Sequence, residues 1–334
     1  MPNINISILA IEETMIYTLA GPYDIFSTAA LCSQQMRSES AIFVTDTSVV
    51  GIKKGHLTCY NGLTIECQKS LTEVTTTDLI IIPSVEFIDE PFLTKYPQLK
   101  DWLTQHYEKG AVIASICAGA FLIAETGLLD GKIATTHWAF ADLLQEKFPE
   151  VEVYGDKIIT EQDNVICAGG ATSWQDLVTY LLEKYASTDT AKYIENFFLL
   201  NTHGYGQKPF KKLTSTLEHN DQIIMDSQQW VKDNLTVEDL LKQITQQSGL
   251  AERTFKRRFK KATKQSPNEY IQNERIDTAK YLLLSSKLSI QKIGEEVGLF
   301  DGSYFRRLFK AKTGMTANAY RKSFTSLDDS RKII

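Results

Sequence analysis

The sequence TFKRRFKKATKQSPNEY at residues 254–270 returns in altered form as YFRRLFKAKTGMTANAY at residues 304–320. Four residues of the first copy recur at an offset of 50 positions: Phe255, Phe259, Thr263 and Tyr270 become Phe305, Phe309, Thr313 and Tyr320. In each copy an apolar segment and a turn with a glycine come before the repeated sequence. A short helix, a glycine turn and a second helix make a helix-turn-helix unit, so residues 236–322 are predicted to contain this unit twice.

The second helix of each predicted unit has an aromatic face and a basic face. Residues at i, i+4 and i+7 share one side of a helix, so Phe255, Phe259 and Ala262 are expected to point inward. The opposite side is expected to carry Arg253, Arg257, Lys260 and Lys264 in the first copy, and Ser303, Arg307 and Lys310 in the second, with Arg306 to one side. Helical periodicity over residues 268–284 predicts a helix that connects the units.

Charge is divided unevenly along the chain. Residues 236–322 contain 18 Lys and Arg against 9 Asp and Glu, a net charge of +9, whereas residues 1–235 carry a net charge of −14. The net charge of −5 for the whole chain therefore hides a basic region, and phosphate binding needs only a local positive face. A solvated surface would explain one basic helix, but two matched copies favour nucleic-acid binding.

Residues 236–322 resemble the AraC-type DNA-binding domain, in which each second helix enters the major groove of DNA. The resemblance implies double-stranded DNA as a partner. It assigns base reading to Arg253, Lys256, Arg257, Ser303, Arg306 and Arg307. Arginine suits this role because its planar fork can donate two hydrogen bonds to guanine. Lys260, Lys261, Lys264 and Lys310 are placed for phosphates, which position the protein without specifying sequence.

Three residues depart from the AraC pattern. Ala251 stands where a serine usually caps the first recognition helix, so that helix lacks a side-chain acceptor at its start. Lys264 replaces the usual glycine, and Ala317 replaces the usual proline. None of these departures removes a base-facing position.

Length and composition are those of a globular protein with two domains. The N-terminus has no basic run before an apolar segment, so no secretion signal is expected, and residues 111–124 are too few for a membrane span. The five cysteines are scattered without paired spacing. This pattern argues against a disulfide framework and a metal site, and it favours the cytoplasm. No cofactor is predicted.

Residues 1–200 alternate predicted strands and helices. Strands are expected at 4–11, 41–45, 78–83, 111–115 and 165–168. Helices are expected from about Gly21, over 99–109, from Ala118 and over 174–185. In the run DLIIIP at residues 78–83, the four residues between Asp78 and Pro83 are all apolar, as in a strand buried on both faces. The alternation predicts an α/β fold, with a parallel sheet between helices and a site at the carboxyl ends of the strands.

The segment ASICAGA at residues 114–120 marks the predicted site. A buried strand stops, Cys117 follows, and small residues let the chain turn into a helix. The turn is expected to expose the cysteine near a helix N-terminus, whose dipole favours a thiolate. A buried structural cysteine is the alternative.

Most of residues 4–185 resembles the DJ-1/PfpI group of the class I glutamine amidotransferase-like superfamily. The matching segments are AGP at 20–22, DLIIIP at 78–83, CAGA at 117–120, GLLDG at 127–131 and TTHW at 135–138. The resemblance implies a flavodoxin-like sandwich and places His137 near Cys117, which makes these two residues the catalytic candidates. Enzymatic members carry an acidic residue at the position of Thr18, and its absence predicts binding without turnover.

The candidate ligand contacts are Cys117, Ala118, His137, Trp138, Gly170 and Thr172. The loop at residues 169–172 could instead be only a tight connection between a strand and a helix. Trp138 and Trp174 could form an aromatic wall for a cationic ligand, although packing in the core is the simpler interpretation.

The segment HGYGQKP at residues 203–209 is rich in Gly and Pro and predicts a linker. We therefore assign residues 1–200 to a ligand-sensing and dimerising domain, 201–216 to a linker, 217–322 to the DNA-binding domain and 323–334 to a tail.

The combined arrangement resembles the GlxA-like regulators of the AraC family. It predicts a cytoplasmic transcription regulator, an activator and a homodimer, that senses a small-molecule effector and is not an enzyme. RNA polymerase is a further expected partner. Two alternatives stay open for the N-terminal domain: a cysteine-dependent hydrolase or hydratase, and a redox sensor based on Cys117.

Overall fold

A computed structural model of the 334-residue chain describes residues 3–35, 44–87, 90–214 and 219–325. The chain divides into two compact units between Gln207 and Lys208. The segment 201–216, assigned to the linker, is thus shared between the units, and its residues 215 and 216 lie outside the described residues, as do positions 217 and 218 of the assigned DNA-binding domain. The same holds for residues 326–334 of the assigned tail.

The first unit alternates strands with helices, as the sequence predicts. Its strands are β1 (Asn3–Ala10), β2 (Val44–Gly51), β3 (Gly55–Thr58), β4 (Thr64–Cys67), β5 (Lys69–Ser70), β6 (Leu79–Ile82), β7 (Val112–Ile116), β8 (Ile133–Ala134), β9 (Glu152–Val153), β10 (Ile159–Gln162) and β11 (Val165–Ala168). Its helices are α1 (Ile16–Gln35), α2 (Phe92–Lys95), α3 (Gln98–Glu108), α4 (Gly119–Thr126), α5 (Ala141–Lys147), α6 (Trp174–Tyr185) and α7 (Thr188–Phe198). Residues 41–43 of the predicted second strand lie outside the described residues.

The main sheet has seven strands in the order β10-β11-β7-β6-β1-β2-β5. Strands β6, β7 and β11 are buried along their whole length, which explains their unbroken apolar sequences. The chain runs outward from β1 to β2 on one side and from β6 through β7 to β11 on the other. The order therefore reverses beside β1, and open α/β sheets bind ligands at such a point.

Two expectations for this unit need correction. The sheet is not wholly parallel, because β10 pairs antiparallel with β11. Asp163 and Asn164 between these strands both have positive φ, which forms the tight hairpin turn that antiparallel pairing requires. Helix α1 begins at Ile16 rather than near Gly21, so Pro22 lies inside the helix. Burial of Thr18 and Leu19 extends the helix upstream of the proline.

The second unit is helical. It contains α8 (Gln222–Asp233), α9 (Leu240–Gln247), α10 (Glu252–Thr263), α11 (Pro267–Ser285), α12 (Ile290–Glu296), α13 (Gly302–Thr313) and α14 (Ala317–Phe324). The pairs α9–α10 and α12–α13 are the two predicted helix-turn-helix units, and α11 is the predicted connecting helix. The class of fold predicted for both halves of the chain is confirmed.

Each helix-turn-helix unit has its own apolar core, and α11 contributes to both. Phe255, Phe259 and Tyr270 form the centre of the first core, and α8 completes it with Ile224 and Val231. Phe305, Phe309 and Tyr320 form the centre of the second. The repeated aromatic residues are therefore the core, because burying a large aromatic side chain contributes about 2–3 kcal/mol.

The two recognition helices differ at both ends. Asp301 caps α13 by accepting hydrogen bonds from the N–H groups of Ser303 and Tyr304, whereas Ala251 gives α10 no side-chain cap. At the other end, Gly314 closes α13 with a φ of 79°, and Lys264 occupies the same place after α10 with a φ of 61°. A left-handed φ costs a residue with a Cβ about 1 kcal/mol relative to glycine.

We predict that Lys264→Gly stabilises the protein, because glycine adopts the left-handed conformation without that cost. The free energy of unfolding should rise by about 0.5–1 kcal/mol, because relief of the backbone strain exceeds the opposing gain in unfolded-state entropy that glycine brings. Urea denaturation, followed by the helical signal of the second unit, measures the change in the free energy of unfolding. The reverse control, Gly314→Ala, should lower stability by about 1 kcal/mol, and an unchanged stability in both variants would contradict this account.

Candidate functional site

The carboxyl ends of β1, β6, β7 and β11 bring four loops together at one edge of the main sheet. Ser84 follows β6, Cys117 follows β7, and Gly169 and Gly170 follow β11. Thr18 lies in the first turn of α1, which follows β1. The register of the parallel strands therefore assembles a site from residues that are far apart in sequence.

Cys117 lies at a sharp turn between β7 and α4, with a φ of 55°. Its N–H donates to the carbonyl of Ala168 at 3.0 Å, and its carbonyl accepts from the Thr136 hydroxyl at 2.7 Å. Few residues other than glycine adopt this conformation, and it persists only where neighbours hold it. The predicted tight turn at Cys117 is thus present.

The Cys117 side chain is buried and only 4 % exposed, so the expected exposed thiolate is wrong. Burial raises the pKa of the thiol, and the neighbouring Ser84 hydroxyl and N–H groups of Ala118 and His137 lower it only in part. Desolvation of the charged form outweighs the helix dipole here. Cys117 is consequently a neutral thiol near pH 7.

No carboxylate among the described residues contributes to the pKa of Cys117. Thr18 is fully buried, donates to the carbonyl of Met15 at 2.7 Å and accepts from the N–H of Ser84 at 3.0 Å. The nearby buried Glu13 is used elsewhere, because Lys95 lies 2.6 Å and the Tyr96 hydroxyl 2.9 Å from its oxygens. Thr18 therefore shapes the loop after β6 and supplies no base.

His137 is half-buried in the loop after β8. Its Nδ1 accepts from the N–H of Ala139 at 3.1 Å, and burial lowers the pKa of the ring. The neutral ring therefore carries its proton on Nε2. A Cβ placed on Gly170 would lie 3.3 Å from Cδ2 of His137, so the imidazole packs against the loop after β11.

Sequence reasoning missed Gln207 in this region. It is 2 % exposed, and its carboxamide lies between the loop of His137 and the loop of Gly170. The Gly/Pro-rich sequence around it suggested a linker, and an isolated glutamine gives no signal of such burial. Only the fold, which joins segments up to 72 positions apart, shows it.

The other predicted contacts divide between the core and the surface. Ala118 is buried and offers its N–H to the Cys117 sulfur. Trp138 is half-buried and packs beside His137, with 5.2 Å between ring centroids. Thr172 is exposed, and its hydroxyl lies 3.4 Å from Nε2 of His203. Trp174 is half-buried and packs closely against Gly21 of α1, which supports the interpretation as a core residue.

In the second unit, all nine predicted DNA contacts are exposed. They are Arg253, Lys256, Arg257, Lys260, Lys264, Ser303, Arg306, Arg307 and Lys310. Lys256 is paired with Glu252 at 2.5 Å on the same helix. Arg258 differs from its neighbours because its guanidinium binds Asp221, the capping residue of α8, at 2.7 and 2.9 Å. Arg258 thus connects α10 to α8 rather than facing outward.

Comparison with known proteins agrees with this geometry. The DJ-1/PfpI family matches residues 13–184, and a helix-turn-helix domain matches residues 244–323. This chain belongs to the DJ-1/PfpI family. Its C-terminal region is a helix-turn-helix domain of the AraC type, so both predicted resemblances are confirmed.

Relatives of this DJ-1/PfpI protein include regulators and an enzyme. The HTH-type transcriptional regulator CdhR of Pseudomonas aeruginosa is 25% identical over 79% of this chain and 78% of its own length. The HTH-type transcriptional regulator GlxA of Rhizobium meliloti is 24% identical over 64% and 66%. Isonitrile hydratase of Pseudomonas putida is 23% identical over 58% of this chain and 76% of its own length.

The described residues of this family member form no cluster of His, Cys, Asp and Glu that could hold a metal ion. Across the described helices, none is long and apolar enough to span a membrane.

We predict that Cys117 alkylates slowly at pH 7 and faster only as the pH passes the range of an ordinary thiol, since burial raises its pKa. Peptide mass spectrometry after timed treatment with iodoacetamide measures this residue separately from the other cysteines. Because folding raises the pKa of the Cys117 thiol, the stability of the wild type relative to Cys117→Ser should be greatest at neutral pH. It should decline as the pH rises through the ordinary thiol range. Rapid alkylation at pH 6 would instead reveal a thiolate and favour the redox sensor.

Proposed function

We propose that this protein is a cytoplasmic transcription regulator that binds a promoter operator through its two helix-turn-helix units and senses a small metabolite with its DJ-1/PfpI unit. The proposal includes activation of transcription, homodimerisation and contact with RNA polymerase. The relatives named as transcriptional regulators, which span both regions of the chain, support the choice.

The observation that carries the DNA-binding proposal is the separation of faces on α10 and α13. Phe255, Phe259, Phe305 and Phe309 are at most 1 % exposed, while all the basic residues proposed for DNA stand outward. The aromatic residues therefore fix the rotation of each helix, and the basic residues are left to meet a polyanion. The second unit also holds the excess of positive charge.

The outward residues are not equivalent. Lys256 must exchange its ion pair with Glu252 for a DNA contact. Within the described part of the chain, Arg257 and Arg307 form no ion pair on their helices, and they occupy matching positions in the two repeats. We therefore assign the principal base contacts to these two arginines.

Binding without turnover is the second part of the proposal. A cysteine nucleophile needs a neighbouring base or a lowered pKa, but Cys117 has a raised pKa and Thr18 replaces the acidic residue. The carboxyl edge of the sheet instead holds neutral polar groups: the buried Cys117 thiol, the buried Ser84 hydroxyl and the half-buried His137 imidazole. These groups can hold a ligand by hydrogen bonds.

We predict that Arg257→Ala and Arg307→Ala each weaken operator binding by about 1–3 kcal/mol and relax sequence preference at one position. The operator is first identified by sequencing DNA selected by the full chain, and affinity is then measured by fluorescence anisotropy at several salt concentrations. Lys264→Gly should weaken binding equally on all sequences and reduce the salt slope by about 1, because a phosphate contact carries no sequence information.

Lys192→Ala is the matched control, since Lys192 is an exposed cation on α7 of the first unit. It should leave affinity and salt slope unchanged. Wild-type affinity in both arginine variants, with the control also unchanged, would show that α10 and α13 do not read the DNA.

The remaining rival is a hydratase, which the relationship to isonitrile hydratase favours. We expect no cysteine-dependent turnover of small isonitriles or amides by the purified full chain, because the site lacks a base for the thiol. Product formation is measured by chromatography for the wild type and for Cys117→Ser. Turnover that disappears in Cys117→Ser would establish an enzyme.

A further inference from the structure

Gln207 occupies a polar recess in the first unit. Its Oε1 accepts hydrogen bonds from the N–H groups of Trp138 at 3.1 Å and Gly170 at 2.9 Å. Its Nε2 donates to the carbonyls of Thr136 at 2.8 Å and Lys157 at 2.9 Å. We call these four backbone groups the carboxamide cradle.

The cradle distinguishes a carboxamide from other polar groups. Two N–H donors converge on one atom of the ligand and two carbonyl acceptors on the other, which fixes the orientation of the amide. A carboxylate would set its second oxygen against the carbonyls of Thr136 and Lys157, and an ammonium could not accept from Trp138 and Gly170. Such buried groups lose their hydrogen bonds to water, so leaving any of them unpaired is destabilising.

The surrounding backbone is shaped to admit this side chain. A Cβ on Gly169 would overlap the carboxamide of Gln207. Gly206 has a φ of 68° and packs against the carbonyl of Asp156, to which the N–H of Gln207 donates at 3.0 Å. Glycines on both sides therefore allow the approach.

The cradle adjoins the candidate effector site. A Cβ on Gly170 would contact both the imidazole of His137 and the Oε1 of Gln207, so the two side chains flank the same residue. Thr136 gives its carbonyl to Gln207 and its hydroxyl to the carbonyl of Cys117. A change at the cradle is thus transmitted directly to the backbone that holds Cys117.

Further contacts fasten the chain before Gln207. The carboxylate of Asp176, itself 7 % exposed, accepts from the N–H of His203 at 2.6 Å and lies 2.7 Å from its Nδ1. Residues 203–207 are therefore held to the first unit at both ends of a tight turn.

The chain after Gln207 is fastened to the DNA-binding unit within a few residues. Lys280 of α11 donates to the carbonyl of Lys211 at 2.7 Å, and Asp277 accepts from the N–H groups of Leu213 and Thr214. Helix α11 contributes to the cores of both helix-turn-helix units. Gln207 and Lys211 are only four positions apart, so releasing Gln207 lengthens the segment between these anchors.

We propose that the cradle is a binding site for primary carboxamides, that Gln207 fills it as an intramolecular ligand, and that a carboxamide effector alters DNA binding by replacing Gln207. The regulatory half of this inference rests on the proposed function, whereas the binding half does not. A tethered group competes at an effective concentration in the millimolar range or above, so a simple amide does not displace it from the wild type. An effector must add contacts with the neighbouring site at His137.

The binding half is tested with Gln207→Ala in the full chain, using acetamide, the fragment that the substitution removes. We expect a lower melting temperature for Gln207→Ala, and a rise towards the wild-type value as acetamide is added. Acetate should have no such effect. The matched control is Gln145→Ala, because the Gln145 side chain also forms hydrogen bonds with backbone groups but is exposed. Acetamide should leave the melting temperatures of Gln145→Ala and of the wild type unchanged.

An equal effect of acetamide and acetate, or of acetamide on both alanine variants, would overturn the carboxamide site. Gln207→Glu provides an independent readout if Gln207→Ala does not fold. The carbonyls of the cradle disfavour a carboxylate and should raise the pKa of the new side chain. The stability deficit of Gln207→Glu should therefore shrink as the pH falls and the acid becomes able to donate, and a deficit that does not depend on pH would contradict the proposal.

The regulatory half is tested by operator affinity. Gln207→Ala should change the operator affinity by at least about fivefold, which is the lower range of allosteric coupling, and acetamide should restore the wild-type affinity. Unchanged affinity, together with rescue of the melting temperature, would leave a carboxamide site without a regulatory role and would overturn this half. If the wild type bound no DNA at all, the proposed function would fail while the melting experiment still decided the site.

Discussion

The left-handed turn at Cys117 is the constraint on which the first unit's site depends. A cysteine at this φ costs about 1–2 kcal/mol, so the neighbouring hydrogen bonds must hold it. The carbonyl of Ala168 anchors its N–H, and the hydroxyl of Thr136 anchors its carbonyl. These two contacts tie the loop after β7 to those after β8 and β11. The strained turn thus serves as the junction of the site, whatever chemistry the sulfur performs.

This junction holds the turn independently of any reaction at the sulfur. Thr18 stands in place of an acidic residue and no carboxylate among the described residues acts on Cys117, yet changing the backbone of Cys117 would displace the loops that form the cradle of Gln207. The carboxylates nearby are already satisfied, Glu13 by Lys95 and Tyr96 and Asp176 by His203. What remains at the edge of the sheet is neutral and polar. Such a surface favours hydrogen bonding to a ligand over chemistry that requires charge.

The sequence predicted the second unit better than the first site. Helical periodicity and the repeat at an offset of 50 positions determine which face of α10 and α13 is buried, because only one face carries the phenylalanines. The buried strands β6, β7 and β11 were equally evident from unbroken apolar runs, whereas the short strands β3–β5 and β8–β10 were not predicted. The protonation state of Cys117 was not evident from the sequence. A helix N-terminus can be predicted from a sequence, whereas the competing desolvation of the thiolate depends on the packed fold.

Gln207 shows the same limit more clearly. Its neighbours in sequence are those of a linker, and its hydrogen-bond partners lie 37 to 72 positions away. No local pattern distinguishes a glutamine that is exposed from one whose amide is completely satisfied in a recess. Likewise, Pro22 suggested the start of α1, although burial of Thr18 and Leu19 moves that start to Ile16.

The two helix-turn-helix units are stabilised in different ways. The second helix-turn-helix unit stabilises its own recognition helix, because Asp301 caps the start of α13 and Gly314 closes its end. The first helix-turn-helix unit lacks both features. It is stabilised instead by α8, through the ion pair of Arg258 with Asp221 and through Ile224 and Val231 in its core. The order of α10 therefore depends on a helix outside its own helix-turn-helix unit, whereas α13 is held at both ends by residues next to it in sequence.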